Sequence, residues 1–85
     1  MTPVIPTTQI STGRLFGPWP SEVHLTPREM QALRLVTEGD ENWAIAQTMG
    51  ISCSTVKLHL HNIFDKTGLH NRVSIAVWAV RNNIL

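Results

Sequence analysis

The sequence predicts an all-α fold, a four-helix bundle carrying a proline-rich N-terminal extension, and three observations support that prediction. From Leu25 onward apolar residues recur at three- and four-residue spacings, the signature of amphipathic helices. Thr, Ser, Asn and Gly punctuate these runs where helix caps and stops belong. No stretch shows the alternation of a half-buried strand, and no internal repeat is present. With 85 residues the chain makes one small domain with one modest core. Its 42% hydrophobic and 15% charged residues favour folding over disorder.

Residues 1–24 differ from the remainder. Pro3, Pro6, Pro18 and Pro20 lie there with Gly13 and Gly17, and Arg14 is the one charge before Glu22. Proline lacks a backbone donor and resists helix interiors and central strands. This segment is expected to be an extended leader or linker, with Leu15, Phe16 and Trp19 available to pack back on the domain. Residues 25–85 form the predicted domain.

The first helix opens on a capping box. The Thr26 hydroxyl is placed to accept from the Glu29 backbone, and the Glu29 side chain to reach back to Thr26. Pro27 sits at the first helical position, where its missing N–H costs nothing. Leu25 is placed to staple against Met30. Met30, Leu33 and Val36, with Leu35 nearby, make the buried stripe, and Gly39 stops the helix. Asp40 or Asn42 is expected to cap a second helix over Trp43 to Met49, with Ile45, Ala46 and Met49 inward.

Gly50 ends that helix, Ile51 enters the core and Ser52 caps a third helix. The small Ala46 and the short turn at Gly50 suit the steep crossing of a helix-turn-helix. In the third helix Val56, Leu60, Ile63 and Phe64 form one apolar stripe, whereas Thr55, Lys57, His61 and Asn62 lie largely off it. Gly68 terminates this helix. Asn71 caps a fourth, from Arg72 to about Asn83, in which Val73, Ala76, Val77, Val80 and Ile84 make one apolar stripe. Ile75, Trp78 and Ala79 make a second stripe, which one small domain does not easily bury.

Composition narrows the functional classes. Seven Lys and Arg against six Asp and Glu give a net charge of +1, weak for a nucleic-acid binder and consistent with modest affinity for a lone copy. Cys53 is the single cysteine, so no internal disulfide forms, and its surroundings offer no metal-ligand spacing. His59 and His61, two residues apart, point to different sides of a helix, which argues against a metal site. Ser/His/Asp groupings, paired carboxylates and Gly-rich phosphate loops are missing, so neither an enzyme nor a cofactor is expected. The N-terminus shows no signal-peptide pattern, and the apolar run from Ile75 to Val80 is too short to span a bilayer. A cytoplasmic protein without a membrane partner is expected.

Taken together, Leu25 to Glu29, Glu38-Gly39, Asn42, Ile45-Ala46, Gly50 to Ser52, Thr55 to Lys57, His59, Asn62-Ile63, Lys66, Gly68 and Asn71-Arg72 resemble the LuxR-type helix-turn-helix domain of bacterial transcription regulators. The resemblance covers Leu25 to Leu85, with four helices and their caps in register. It implies that the third helix enters the DNA major groove and that the fourth carries a dimer contact. It also implies a signal-receiving domain N-terminal to the module. Residues 1–24 show none, so a stand-alone regulator or an excised effector domain is expected. Trp43 and Ala44 depart from the family's polar or charged pair, His61 replaces a frequent Lys, Arg or Ser, and Thr67 replaces an apolar residue.

Lys57 is the leading candidate for a base contact, since its ammonium can reach guanine O6 and N7; a phosphate contact is the plainer alternative. Leu58 is a candidate for a thymine methyl, or else is partly core. His61, one turn beyond Lys57, can donate to a base or phosphate, and protonation would add a charge. The competing reading is a solvated histidine. His59 more simply bridges helix and backbone or packs at the rim.

Thr26, Asn42, Ser54, Thr55, Asn62, Lys66 and Arg72 are candidate phosphate contacts, helped by helix N-termini, although Thr26 and Asn42 also serve as caps. Ser74, Ile75, Trp78 and Ala79 are the candidate dimer interface; the alternative places Trp78 over the domain's own core. The leading functional expectation is sequence-specific binding of double-stranded DNA by a homodimer that regulates transcription. The alternative is a protein-interaction module acting on RNA polymerase or another regulator, motivated by the near-neutral charge and by Trp43 and Trp78.

Overall fold

A computed structural model of the chain describes residues 23–84, which form four helices: α1 Pro27–Thr37, α2 Asn42–Met49, α3 Cys53–Thr67 and α4 Arg72–Arg81. No strand occurs among the described residues. The expected extension, and any packing of Trp19 on the domain, lie outside them. Val23 and Leu25, the first apolar residues described, already pack against the core.

Three of the four helices, α1, α3 and α4, begin where short-range chemistry says they should. The Glu29 N–H donates to Thr26 Oγ1 (3.1 Å) and the Thr26 N–H donates to Glu29 Oε1 (3.0 Å), closing the capping box on α1 with Pro27 inside it. Ser52 Oγ accepts from the Thr55 N–H at 3.1 Å and starts α3. Asn71 Oδ1 accepts from the Ser74 N–H at 2.8 Å, and the Asn71 N–H donates back to Ser74 Oγ, a second reciprocal box.

The start of α2 differs from expectation. Its N-cap is Glu41, which makes no side-chain cap bond. Of the two expected caps, Asn42 is the first residue of the helix and its Oδ1 accepts from the Arg72 guanidinium (2.7 Å), which also donates to the Asp40 backbone carbonyl. At the other end, Gly50 adopts φ +69°, a left-handed conformation that L side chains rarely take. There the Ile51 N–H donates to the Ala46 carbonyl at 3.0 Å and the Gly50 N–H to the Gln47 carbonyl, a Schellman closure that leaves three residues before α3.

α1 is the centre of the bundle and contacts all three other helices, whereas α2 packs chiefly on α3 as the first half of the helix-turn-helix. Ala32, Leu33, Ile45, Val56, Ile63, Ile75 and Ala79 are wholly buried, joined by Leu35, Val36, Ala46, Met49, Leu60 and Trp78. Met30, expected inward, is only half-buried.

The fourth helix requires a correction. Ile75, Trp78 and Ala79, expected at a dimer interface, are 0–2% exposed and complete the domain's own core. Val73, Val77 and Val80, expected inside, are 71%, 43% and 67% exposed. The physical reason is volume. α4 lies mainly on α1 and can turn only one side toward it, and the side turned inward carries Trp78 and Ile75, the two largest apolar side chains of the helix.

Thr67 is buried without penalty, because its hydroxyl donates to the Ile63 carbonyl (2.8 Å) and accepts from the Leu69 N–H (3.2 Å). A polar residue thus fills an apolar position by closing the end of its own helix.

Candidate nucleic-acid interface

The outer face of α3 is set by its inner one. Val56, Leu60, Ile63 and Thr67 are buried and fix the rotation of the helix. At 3.6 residues per turn, Ser54, Lys57, Leu58, His61 and Asp65 then fall within an arc of about 100° on the opposite side, and all five are exposed. They form one ridge about 16 Å long at 1.5 Å per residue, directly after the Gly50 turn. No hydrogen bond or ion pair to a described residue engages Lys57, so its ammonium is available to a partner. Leu58 is 55% exposed, which removes the alternative of core burial. His61 Nε2 lies 3.3 Å from Asp65 Oδ2, with both side chains about two-thirds exposed. Asp65 is not among the residues singled out from sequence, although its i, i+4 spacing from His61 was the available signal.

The flank of α3 that carries Thr55, His59, Asn62 and Lys66 turns toward the body of the domain. Lys66 Nζ donates to Glu29 Oε1 at 2.6 Å, and Asn62 also hydrogen-bonds this carboxylate. The Glu29 side chain is 5% exposed and that of Lys66 35%. Burial by itself pushes the Glu29 carboxyl up. The hydrogen bonds from Lys66 and the Thr26 backbone, the Lys66 charge and the Asn62 bond outweigh it and hold the group below its ordinary value. This cluster was not anticipated, because its partners are 37 residues apart and nothing local links them.

The expected phosphate contacts therefore divide into two sets. Ser54 is exposed in the first turn of α3, Thr26 is exposed at the α1 cap, and half-buried Thr55 places Oγ1 3.0 Å from Ser52 Oγ. Lys66 and Asn62 engage Glu29, and Arg72 engages Asn42, so these four also tie the helices together; Lys66 stays about a third exposed and the other three are half-buried. Arg28, not singled out from sequence, links α1 to the helix-turn-helix by donating to the Met49 carbonyl at 3.2 Å.

Of the expected dimer set, Ile75, Trp78 and Ala79 lie inside the domain, and Ser74 is occupied in the Asn71 cap. The outward face of α4 is instead Val73, Val77 and Val80, with a shallow apolar groove lined by Ala76, Val77, Val80 and Arg81. The i, i+4, i+7 spacing of the three valines was visible in the sequence; the side it faced was not. No helix among the described residues is long and apolar enough to cross a membrane.

A short turn between two helices, and behind it an outward polar ridge, is the arrangement the sequence resemblance implied, and comparison with known proteins decides the matter. The family profile "Bacterial regulatory proteins, luxR family" matches residues 23–79. The chain belongs to the luxR family. Among its relatives, the nitrate/nitrite response regulator protein NarL of Escherichia coli is 42% identical over 60 residues, 71% of this chain and 28% of that protein. The transcriptional regulatory protein LiaR of Bacillus subtilis is 39% identical over 61 residues, 72% of this chain and 29% of its own length. The transcriptional activator protein AnoR of Acinetobacter nosocomialis is 40% identical over 63 residues, 74% and 26% respectively. The chain thus spans little more than a quarter of the length of these relatives.

Proposed function

We propose that this chain binds double-stranded DNA sequence-specifically and regulates transcription, with α3 in the major groove, as a homodimer. The observation that carries the reading is the ridge Ser54, Lys57, Leu58 and His61, held outward by a helix whose other side is locked into the core of a luxR-family domain. The relatives named for transcriptional regulation support the same reading. Lys57 offers a donor to guanine O6 and N7, Leu58 an apolar contact to a thymine methyl, and His61 a ring nitrogen to the next base step. Thr26, Ser54 and Thr55, with the first-turn amides of α3, suit phosphates. The homodimer forms along Val73, Val77 and Val80, three exposed valines on one side of α4.

A fluorescence anisotropy titration against genomic duplex fragments tests this proposal. Saturable binding that weakens linearly in log–log form with salt is expected, with a shallow slope because a net charge of +1 supports few phosphate contacts. Absence of saturable binding at low salt, for the chain and for a covalently joined pair, would overturn it. A second reading, a module that docks on RNA polymerase or another regulator, is favoured by Trp43, which is 64% exposed at the start of α2. Co-purification of such a partner that survives loss of DNA binding but not Trp43→Ala would support it.

A further inference from the structure

Among the described residues nothing covers the apolar groove of α4, and Val77 and Val80 within it remain 43% and 67% exposed. The course of the chain decides what lies nearest to it. The Arg72 guanidinium donates to Asn42 Oδ1 and to the Asp40 carbonyl, so α4 starts at the C-terminal end of α1. From there it packs chiefly on α1, burying Ile75, Trp78 and Ala79. α4 therefore runs back along α1, and its last turns, with Val77 and Val80, lie at the end where α1 begins. Val23 and Leu25, just ahead of α1, pack against the core. The chain that precedes Val23 thus joins the domain at the same end as the groove.

Reach and chemistry both suit that chain as the occupant. An extended residue spans at most about 3.3–3.6 Å, so Trp19, four residues before Val23, reaches about 13 Å and Leu15 about 26 Å. The 10 residues of α4 make a helix about 15 Å long. Leu15, Phe16 and Trp19 supply large apolar side chains within five residues. Pro18 and Pro20 restrict the backbone on both sides of Trp19, which lowers the entropy lost when the indole is held in one place. A tethered segment also acts at an effective concentration of about millimolar. A second copy has to bring the same apolar area at its bulk concentration.

We propose that residues 15–19, through Leu15, Phe16 and Trp19, dock in the α4 groove of their own chain and cover Val77 and Val80. The segment and a second copy then compete for one face, so that release of the segment uncovers the stripe for pairing. The competition rests on the homodimer reading above; the docking does not.

A nitroxide carried on Gly17→Cys in the full chain tests the docking, with exposed Cys53 replaced by Ser so that one site is labelled. At a concentration where the chain is monomeric, the Val77 and Val80 resonances should lose at least about twofold more intensity than those of Lys57 and Leu58 on the α3 ridge. An isotope-enriched chain without nitroxide, mixed with a labelled chain, should show no such loss. Unbroadened Val77 and Val80, or a loss seen equally in the mixture, would overturn docking within one chain. Sedimentation equilibrium of Phe16→Ser/Trp19→Ser tests the competition, with circular dichroism to check the fold. If the segment covers the face nine-tenths of the time, the variant should dimerise with a dissociation constant about tenfold or more below that of wild type. An unchanged constant would overturn the competition, and a weaker dimer would make the segment part of the pair. If neither protein self-associates, the homodimer reading fails and the competition with it, while the resonance measurement still decides the docking.

Discussion

Helices α3 and α4 are built by the same devices and turn opposite faces to solvent. Both start on a side-chain cap, Ser52 and Asn71, and both anchor a set of large apolar residues in the common core. Outward, α3 shows Ser54, Lys57, Leu58, His61 and Asp65, whereas α4 shows Val73, Val77 and Val80. A polar ridge is at no cost in water and gains only when a partner offers matching donors and acceptors. An apolar stripe already loses free energy in water, and gains it back by meeting almost any apolar surface of suitable shape. The first is suited to discrimination, the second to association.

The sharpest way to break this comparison is to move from outer to inner faces. Trp78→Ala should cost about 3–5 kcal/mol, as expected for a large aromatic removed from a packed core, and urea titration should show most or all of the fold lost. A cost near zero would mean that Trp78 faces a partner after all.

Next comes the link that sets α3 against α1. Lys66→Met leaves buried Glu29 without its cation; the cost should be about 1–3 kcal/mol, below that of a fully buried pair because the Lys66 side chain is a third exposed. The Glu29 carboxyl is held below its ordinary value, so the folded state binds fewer protons than the unfolded one in that range. Its contribution is whole above the unfolded value of about 4.3 and is lost as pH falls through the folded one. Acid titration of Glu29→Gln, followed by circular dichroism, should lack that part of the wild-type loss.

On the polar ridge, Lys57→Ala should leave stability unchanged within about 0.5 kcal/mol and reduce discrimination at one base pair by about 1–3 kcal/mol. Competition binding with single-base variants of a selected site reads this directly. Equal weakening toward every sequence would make Lys57 a phosphate contact. The smallest effect on folding belongs to the apolar stripe. Val77→Asp should change unfolding free energy by at most about 0.5 kcal/mol while abolishing self-association in sedimentation equilibrium. A variant that still self-associates would remove α4 from the proposed dimer.

The parts of this molecule that were legible in the sequence are those determined within three or four residues. The Thr26–Glu29 box, the Ser52 and Asn71 caps and the stop at Gly50 are local hydrogen bonds and local backbone preferences, and each stands where the pattern put it. The outward position of Lys57 and His61 followed from the apolar stripe of α3, since a helix with one apolar side has only one way to face a core. α4 has two apolar sides, and periodicity cannot rank them; packing against α1 selected the side with the indole. The ties from Arg72 to Asn42 and from Lys66 to Glu29 cross 30 and 37 residues, a range over which sequence spacing carries no geometry. Those ties also explain why several residues expected at phosphates hold the domain together.

The Arg72 tie has a mechanical consequence. Its guanidinium fastens the first residue of α4 to the approach and first residue of α2, so the apolar stripe and the helix-turn-helix move as one piece. In the proposed pair, the distance and phase between the two α3 ridges become a fixed ruler instead of an adjustable span. One added base pair between half-sites turns one half by about 34° at 10.5 base pairs per turn, an error such a ruler has no joint to absorb. Spacing, as well as base identity, then defines the site, and the residue that enforces it touches no base.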